Sequence, residues 1–327
     1  MSNLLDKASI VLTPTAYDNS KVLCVKPSDG SGDFSFSRAT EATRINSLGL
    51  VEVVADNLPR INYEGGCGSW LFEPQSTNLY LNSETLSTQT ITTTANQYSV
   101  SFYGTGTITF SGTHTGSLIG TGLNDRVTAT FSATAGTLTS TVSGTVTKAQ
   151  IEQLSFATSY IPTTTTSVTR NQDLCTNGGS LASINSTEGV FYAEIASLTQ
   201  DDTFRLIGLN DGSTQNRVNI SYNNQTNELI FSCRVNNVNE FIFTKTLADT
   251  TTFHKCALLY KLNEFKVFID GVQENTQLSG STFAANTLDT LDFDIGNGGF
   301  PFFGKTKCLA VWKEALTDTE LQELTTI

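Results

Sequence analysis

Between residues 98 and 154, and again between 189 and 313, one pattern recurs. Aromatic or aliphatic residues alternate with Thr, Ser or charged residues, and Gly, Asn or Asp interrupts the run at roughly ten-residue spacing. A period of two is the pitch of a pleated strand; an amphipathic helix needs a period near 3.6. In the first stretch the runs are Tyr98–Tyr103, Thr107–Phe110, Val127–Phe131, Leu138–Val142 and Gln150–Leu154. In the second they are Gly189–Ala196, Phe204–Leu209, Arg217–Tyr222, Glu228–Arg234, Glu240–Lys245, Phe253–Tyr260, Glu264–Ile269, Leu291–Ile295 and Lys305–Lys313. Abundant Thr suits this pattern, because β-branching disfavours helix and packs well on a pleated surface. Charged residues make up only 15% of the chain, against about a quarter in typical globular domains, which argues against a charged helical bundle or coiled coil. The 20 Phe, 9 Tyr and 2 Trp supply enough burial to exclude disorder.

The expected fold class is all-β, with two β-sandwich or jelly-roll domains after an irregular N-terminal docking segment and a short C-terminal helix. Residues 1–84 carry turn signals and few periodic runs, and read as an extended segment without a core of its own. Residues 85–160 form a Thr-rich sandwich, 161–187 a linker marked by Pro162 and Asn177-Gly178-Gly179, and 188–327 the second sandwich. Asp211-Gly212 and Asp270-Gly271 suit tight hairpins, whose central residues need positive φ. Thr317 and Glu320 make a capping box for a final helix, with Leu316 and Leu321 placed as a hydrophobic staple.

A net charge of -12 without a basic cluster argues against nucleic acid and anionic membranes as partners. No apolar run approaches the ~20 residues of a membrane-spanning helix. The first residues lack a basic region followed by an apolar one, so no signal peptide is read, and the three N-x-S/T triplets at Asn185, Asn219 and Asn224 carry no expectation. The six cysteines show no C-x-x-C pair, and His114 and His254 sit at no metal-ligand spacing, so neither metal nor cofactor is expected. Cys233, Cys256 and Cys308 read as buried free thiols within strands, His254 as a structural residue and His114 as a solvated loop residue.

Catalytic motifs are missing: there is no G-x-S-x-G, H-E-x-x-H or Walker A sequence, and no E-x-D-x-x-E glycosidase strand. Asp292 and Asp294 share one strand face and read as solvated carboxylates; a calcium or acid/base role is the alternative. Two loops have the Asn/Asp/Gly composition and aromatic neighbours of sugar sites. Their candidate glycan-binding residues are Asn210 and Asp211 in one loop, and Asn297, Phe300 and Phe302 in the other. Ordinary hairpin loops share this composition.

Two stretches carry family resemblances. Ser37-Arg38-Ala39-Thr40-Glu41-Ala42-Thr43-Arg44-Ile45-Asn46, then Asn57-Leu58-Pro59-Arg60-Ile61 and Leu71-Phe72-Glu73-Pro74-Gln75-Ser76-Thr77-Asn78-Leu79, resemble a segment of tailed-bacteriophage virion proteins, including those of crAss-like phages. Residues 159–171 resemble a companion segment. That resemblance implies a fibre, spike or decoration subunit of a virion, located on the particle. It would dock on capsid, portal, neck or tail proteins through residues 1–84 and assemble as a homo-oligomer, a trimer by preference. Arg38, Arg44 and Arg60 are then candidate docking residues, with intrachain stapling as the alternative. The second resemblance runs from Phe268-Ile269-Asp270-Gly271 through Val311-Trp312 to Ala315–Leu321 and is to the end of a laminin-G-like, concanavalin A-like sandwich. It implies fold more than function, since that fold hosts lectins, glycosidases and inert modules. A non-enzymatic virion subunit is the leading expectation. The alternatives are a carbohydrate-binding adsorption module, with host surface polysaccharide as partner, and a polysaccharide depolymerase.

Overall fold

In the computed structural model, residues 2–200, 203–225 and 227–327 are described. Strands dominate, and the helices among the described residues are Ser2–Lys7 and Asp318–Thr325. The period-two runs become antiparallel strands close to where the pattern puts them; Arg217–Tyr222 and Glu264–Ile269 coincide with the expected bounds.

The larger sandwich pairs two sheets. One runs in the order Val272–Gln277, Glu264–Ile269, His254–Lys261, Glu188–Ser197, Gly304–Trp312, Ser69–Phe72, Ile61–Asn62, and Ile10–Leu12 also pairs with Gly304–Trp312. The facing sheet runs Val238–Thr246, Glu228–Val235, Arg217–Tyr222, Arg205–Asn210, Thr290–Asp292. Alternation sorts the side chains of Glu188–Ser197. Phe191, Ala193 and Ile195 point into the space between the sheets. Val190 and Tyr192 point outward, yet they too are buried, under Leu4, Leu321 and Leu324 of the two helices. The final helix is capped as the sequence implies: Thr317 accepts from the Glu320 backbone, and Glu320 reaches back to the Thr317 N–H. Trp312 Nε1 donates to Leu4 O at 2.9 Å and ties the first helix to the last long strand.

Residues 1–84 do not stand apart as a segment without a core. Ile10, Leu12, Phe34, Phe36, Trp70 and Phe72 fill the same interior as Phe191, Ile220 and Leu309. Their strands are only two to four residues long and pair with segments up to some 300 residues away, Ile10 lying opposite Val311. Such pieces leave no local periodicity to read. The stretch 161–187 is likewise built into the fold. Leu174–Thr176 pairs with Phe34–Ser37, Val168–Arg170 pairs with Ser76–Asn78, and Thr163 is buried, its hydroxyl donating to Tyr80 O.

The smaller sandwich has a four-stranded sheet, Gln89–Thr93, Gly136–Ser143, Thr107–Gly112, Gly116–Ile119. It faces a three-stranded sheet, Gly122–Ala133, Asn96–Gly104, Val146–Glu152. Its separate core gathers Tyr80, Leu86, Tyr98, Val100, Phe102, Ile108, Phe110, Leu138 and Ile151. Gly104 ends one strand at φ +133°, where a Cβ would lie 2.1 Å from Thr145 O, so only glycine fits. His114 is not simply solvated: its ring stacks on Phe131 at 4.1 Å, and burial lowers its pKa.

Of the two Asp-Gly pairs, Asp270-Gly271 forms the tight hairpin, with φ of +49° and +80°. Asp211-Gly212 instead opens a six-residue loop between Arg205–Asn210 and Arg217–Tyr222. The cysteines are free; Cys24, Cys175, Cys233 and Cys256 are buried, Cys308 is partly so, and Cys67 is exposed.

Candidate functional site

The two Asn/Asp/Gly loops of the C-terminal sandwich lie side by side on one rim. Gly296 sits so close to the first loop that a Cβ would fall 2.8 Å from both Asn210 Cγ and Ser213 O. The 297–302 loop runs along the strand Arg205–Asn210, with Leu206 N donating to Phe300 O at 3.2 Å. Asp211 shapes its own loop: it accepts from Ser213 N at 3.0 Å and Asn216 Nδ2 at 2.8 Å.

The five predicted residues meet different fates. Asn210 is buried; its Nδ2 donates to Asp292 Oδ2 at 2.9 Å and its Oδ1 accepts from Gly212 N at 2.8 Å. It holds the rim together and offers little to a ligand. Phe302 is 1% exposed and packs between Tyr222 and Phe293, so it is not a surface platform. Phe300 is 51% exposed, at φ +50°, edge-on to Phe204 with centroids 5.6 Å apart. Asn297 is exposed and Asp211 partly so. The rim therefore presents one aromatic ring, one carboxylate and one amide.

Asp292 and Asp294 are not the solvated pair that alternation suggests; they are 5% and 4% exposed. Asp292 accepts from Asn177 N and Asn210 Nδ2, and Asp294 accepts from Gly296 N and Gly298 N. Burial raises the Asp292 pKa, partly offset by those two donors. Both carboxylates are committed to loop architecture. His254 is held by Asp270 Oδ2 at 2.6 Å and Asp249 O at 2.8 Å, a structural arrangement.

The candidate docking arginines converge on another place. Arg38 and Arg60 have fully buried side chains, so neither presents a surface to a partner. Arg38 donates to Asp173 Oδ1 at 3.0 Å and to Ala55 O at 2.7 Å. Arg60 donates to Glu73 Oε2 at 2.7 Å and to Asp173 Oδ2. A third guanidinium, Arg170, lies 3.3 Å from Glu73 and donates to Pro74 O. Ser159 closes the cluster by donating from its N–H and hydroxyl to Glu73. Burial by itself would raise the Glu73 carboxyl, but Arg170 and Arg60 outweigh it and hold the pKa at about 2. The motif residues thus staple residues 38–73, 159 and 170–173 where the two sandwiches meet. Arg44 alone stays near the surface, paired with Glu52 at 2.9 Å and Tyr17 at 3.2 Å. Glu73, Arg170 and Asp173 were not legible as one cluster, although Glu73 and Arg170 fall within the two motif stretches.

Residues 190–322 match the Laminin_G_3 model, described as the concanavalin A-like lectin/glucanases superfamily. No curated protein sequence matches the chain. Among solved structures, the chain is similar to the Ruminococcus gnavus IT-sialidase CBM40 bound to alpha2,3 sialyllactose. The identity is 15% and the TM-score 0.39, over 46% of this chain and 94% of that one. It is also similar to the NanB sialidase of Streptococcus pneumoniae, at 13% identity and TM-score 0.38, over 45% of this chain and 25% of that one. The SAP-like pentraxin of Limulus polyphemus follows at 14% identity and TM-score 0.34, over 45% and 70%. Over residues 190–322, less than half of the chain, the C-terminal sandwich is similar to the concanavalin A-like lectin/glucanases superfamily.

Proposed function

We propose that this protein binds carbohydrate without transforming it, through the rim formed by residues 210–216 and 292–302. The observation that carries the reading is the lectin-type match of residues 190–322, the part of the chain that bears this rim. Phe300 supplies a half-exposed ring for stacking on a sugar face, and Asp211 and Asn297 supply polar groups beside it. Asp292 and Asp294, the best pair for acid/base work, are buried and hydrogen-bonded, which supports binding over hydrolysis. A glycan array tests this: Phe300→Ala should weaken binding to the ligands found, and an array with no binder would sink the reading.

The virion-subunit reading rests on the resemblance of residues 37–79 and 159–171. The structure uses several of those residues for internal ion pairs. The exposed Leu48, Leu50 and Val53 in and beside the hairpin of Ala42–Ile45 and Val51–Val54 support self-association of such a subunit. Light scattering showing a trimer would support it, and a monomer at high concentration would remove it.

A further inference from the structure

Where the two sandwiches meet, the chain leaves a cleft of about 180 Å³. Its walls come from distant parts of the sequence: Arg44, Asn62 and Glu64 from the first quarter, Tyr103 and Arg126 from the smaller sandwich, and Lys305 from the larger one. We propose that this cleft binds one small ring compound bearing a carboxylate, a uronic-acid type of sugar residue.

Size sets the first limit. The volume is close to the ~150 Å³ cavity that accepts a single benzene, and below the ~300 Å³ at which pockets for drug-sized ligands begin. One ring fits; an oligosaccharide would have to extend outside.

Charge sets the second. The protein carries -12 overall, yet Arg44, Arg126 and Lys305 converge here. Glu73 is saturated by Arg60, Arg170 and Ser159. Arg44 is paired with Glu52 and Lys305 lies 3.7 Å from the mostly exposed Glu64, so Arg126 is the cleft cation with no carboxylate partner among the described residues. Arg126 spends one Nη on Ser101 Oγ and Thr158 O. Arg44 spends its Nε and one Nη on Glu52 and Tyr17. Each guanidinium keeps its other Nη without a protein partner among the described residues, in the geometry that favours a carboxylate.

Unused polar atoms set the third. Asn62 is only 4% exposed; its Oδ1 accepts from Ile45 N at 2.7 Å, and its Nδ2 has no partner among the described residues. Tyr103 is 9% exposed, and its hydroxyl likewise has none. Both atoms keep some contact with solvent, and the two residues line the cleft together, where they offer hydrogen bonds to a ligand with hydroxyl groups. The site shares no residue with the Phe300 rim.

The test is calorimetric titration of the full-length protein with glucuronate, with glucose and with sulfate. The variants are Tyr103→Phe, Lys305→Gln and Phe300→Ala, each checked for an unchanged melting temperature. Tyr103→Phe removes one oxygen and leaves the ring packing in place. Glucuronate is expected to bind and glucose to bind at least about tenfold more weakly, one charge-assisted contact being worth that factor. Tyr103→Phe and Lys305→Gln should each weaken glucuronate several-fold, and Phe300→Ala should leave it unchanged. Equal binding of glucose would overturn the carboxylate. Equal competition by sulfate would overturn the sugar ring. No glucuronate binding, or binding lost in Phe300→Ala and kept in Tyr103→Phe, would overturn the site. A blank glycan array for the rim leaves each of these outcomes readable.

Discussion

Asp173→Asn is the sharpest probe of how the molecule is held together. Asp173 is fully buried and faces Arg38 at 3.0 Å, Arg60 at 2.5 Å and Arg170 at 3.8 Å, and its Oδ2 also accepts from Glu73 N at 2.8 Å. Removing its charge leaves three buried guanidiniums opposite a single carboxylate, Glu73. Deleting one partner of a buried pair costs about 3–5 kcal/mol, because the remaining charge is stranded away from water. The expected loss is a factor of about 10² to several 10³ in the folded-to-unfolded ratio. The assay is urea unfolding followed by two probes. Both tryptophans, Trp70 and Trp312, lie in cores of the larger sandwich, whereas residues 80–152 contain none. Tryptophan fluorescence therefore reports on one sandwich and far-ultraviolet circular dichroism on both. Wild type should give coincident transitions, and the variant should give separated ones, with the fluorescence midpoint shifted most. A loss below about 1 kcal/mol, or a large loss with transitions still coincident, would refute the idea that this cluster couples the sandwiches.

Four further outcomes are expected. Glu73→Gln should destabilise most at neutral pH: the depressed carboxyl stabilises the fold above about pH 4.5, and that contribution is lost as pH falls toward about 2. The wild-type advantage in urea melts should thus shrink across that window, while buried Glu152, whose pKa is raised by burial, acts in the opposite sense in both proteins. Phe302→Ala should cost about 3–5 kcal/mol and Phe300→Ala less than about 1 kcal/mol, since one ring fills the core and the other stands half in solvent; equal costs in urea melts would contradict the burial described. Thr317→Ala should lose about 1 kcal/mol with the capping box, measured the same way. Gly104→Ala should lose more than about 1 kcal/mol, because a Cβ there meets Thr145 O; an unchanged melting temperature would show that the strand end can shift.

Most strands of the C-terminal sandwich were legible because they are long enough to show their period, as in Glu264–Ile269 leading to Asp270-Gly271; Thr290–Asp292, with three residues, is shorter than the run Leu291–Ile295 read from the pattern. The closing helix was legible because its cap is local: Thr317 and Glu320 are three residues apart. What the sequence hid depends on partners far along the chain. Ile10-Val11-Leu12 is strand-like on its own, as the structure has it, but nothing local says that it and Ser69–Phe72 complete a strand that begins at Gly304. Arg60 and Asp173 are 113 residues apart, and no spacing rule joins them. At the rim, Phe300 and Phe302 share a Gly/Pro loop, and composition cannot tell which ring turns inward. Asp292 and Asp294 alternate as a solvent-facing pair would, but loop backbone donors cover that face.

The pairing of Ile10–Leu12 and Ser69–Phe72 with Gly304–Trp312 also dictates an order of assembly. During synthesis the smaller sandwich, whose strands all lie between residues 89 and 152, has its own partners within reach and condenses first. Trp70, Phe72 and Ile10 emerge before it yet must wait for residues 304–312, so the nascent chain carries unpaired apolar edge strands through most of its elongation. A stop anywhere between residues 160 and 304 would release a chain with one finished sandwich and one adhesive half-sheet. Its expected fate is aggregation through the half-sheet while the smaller sandwich stays intact.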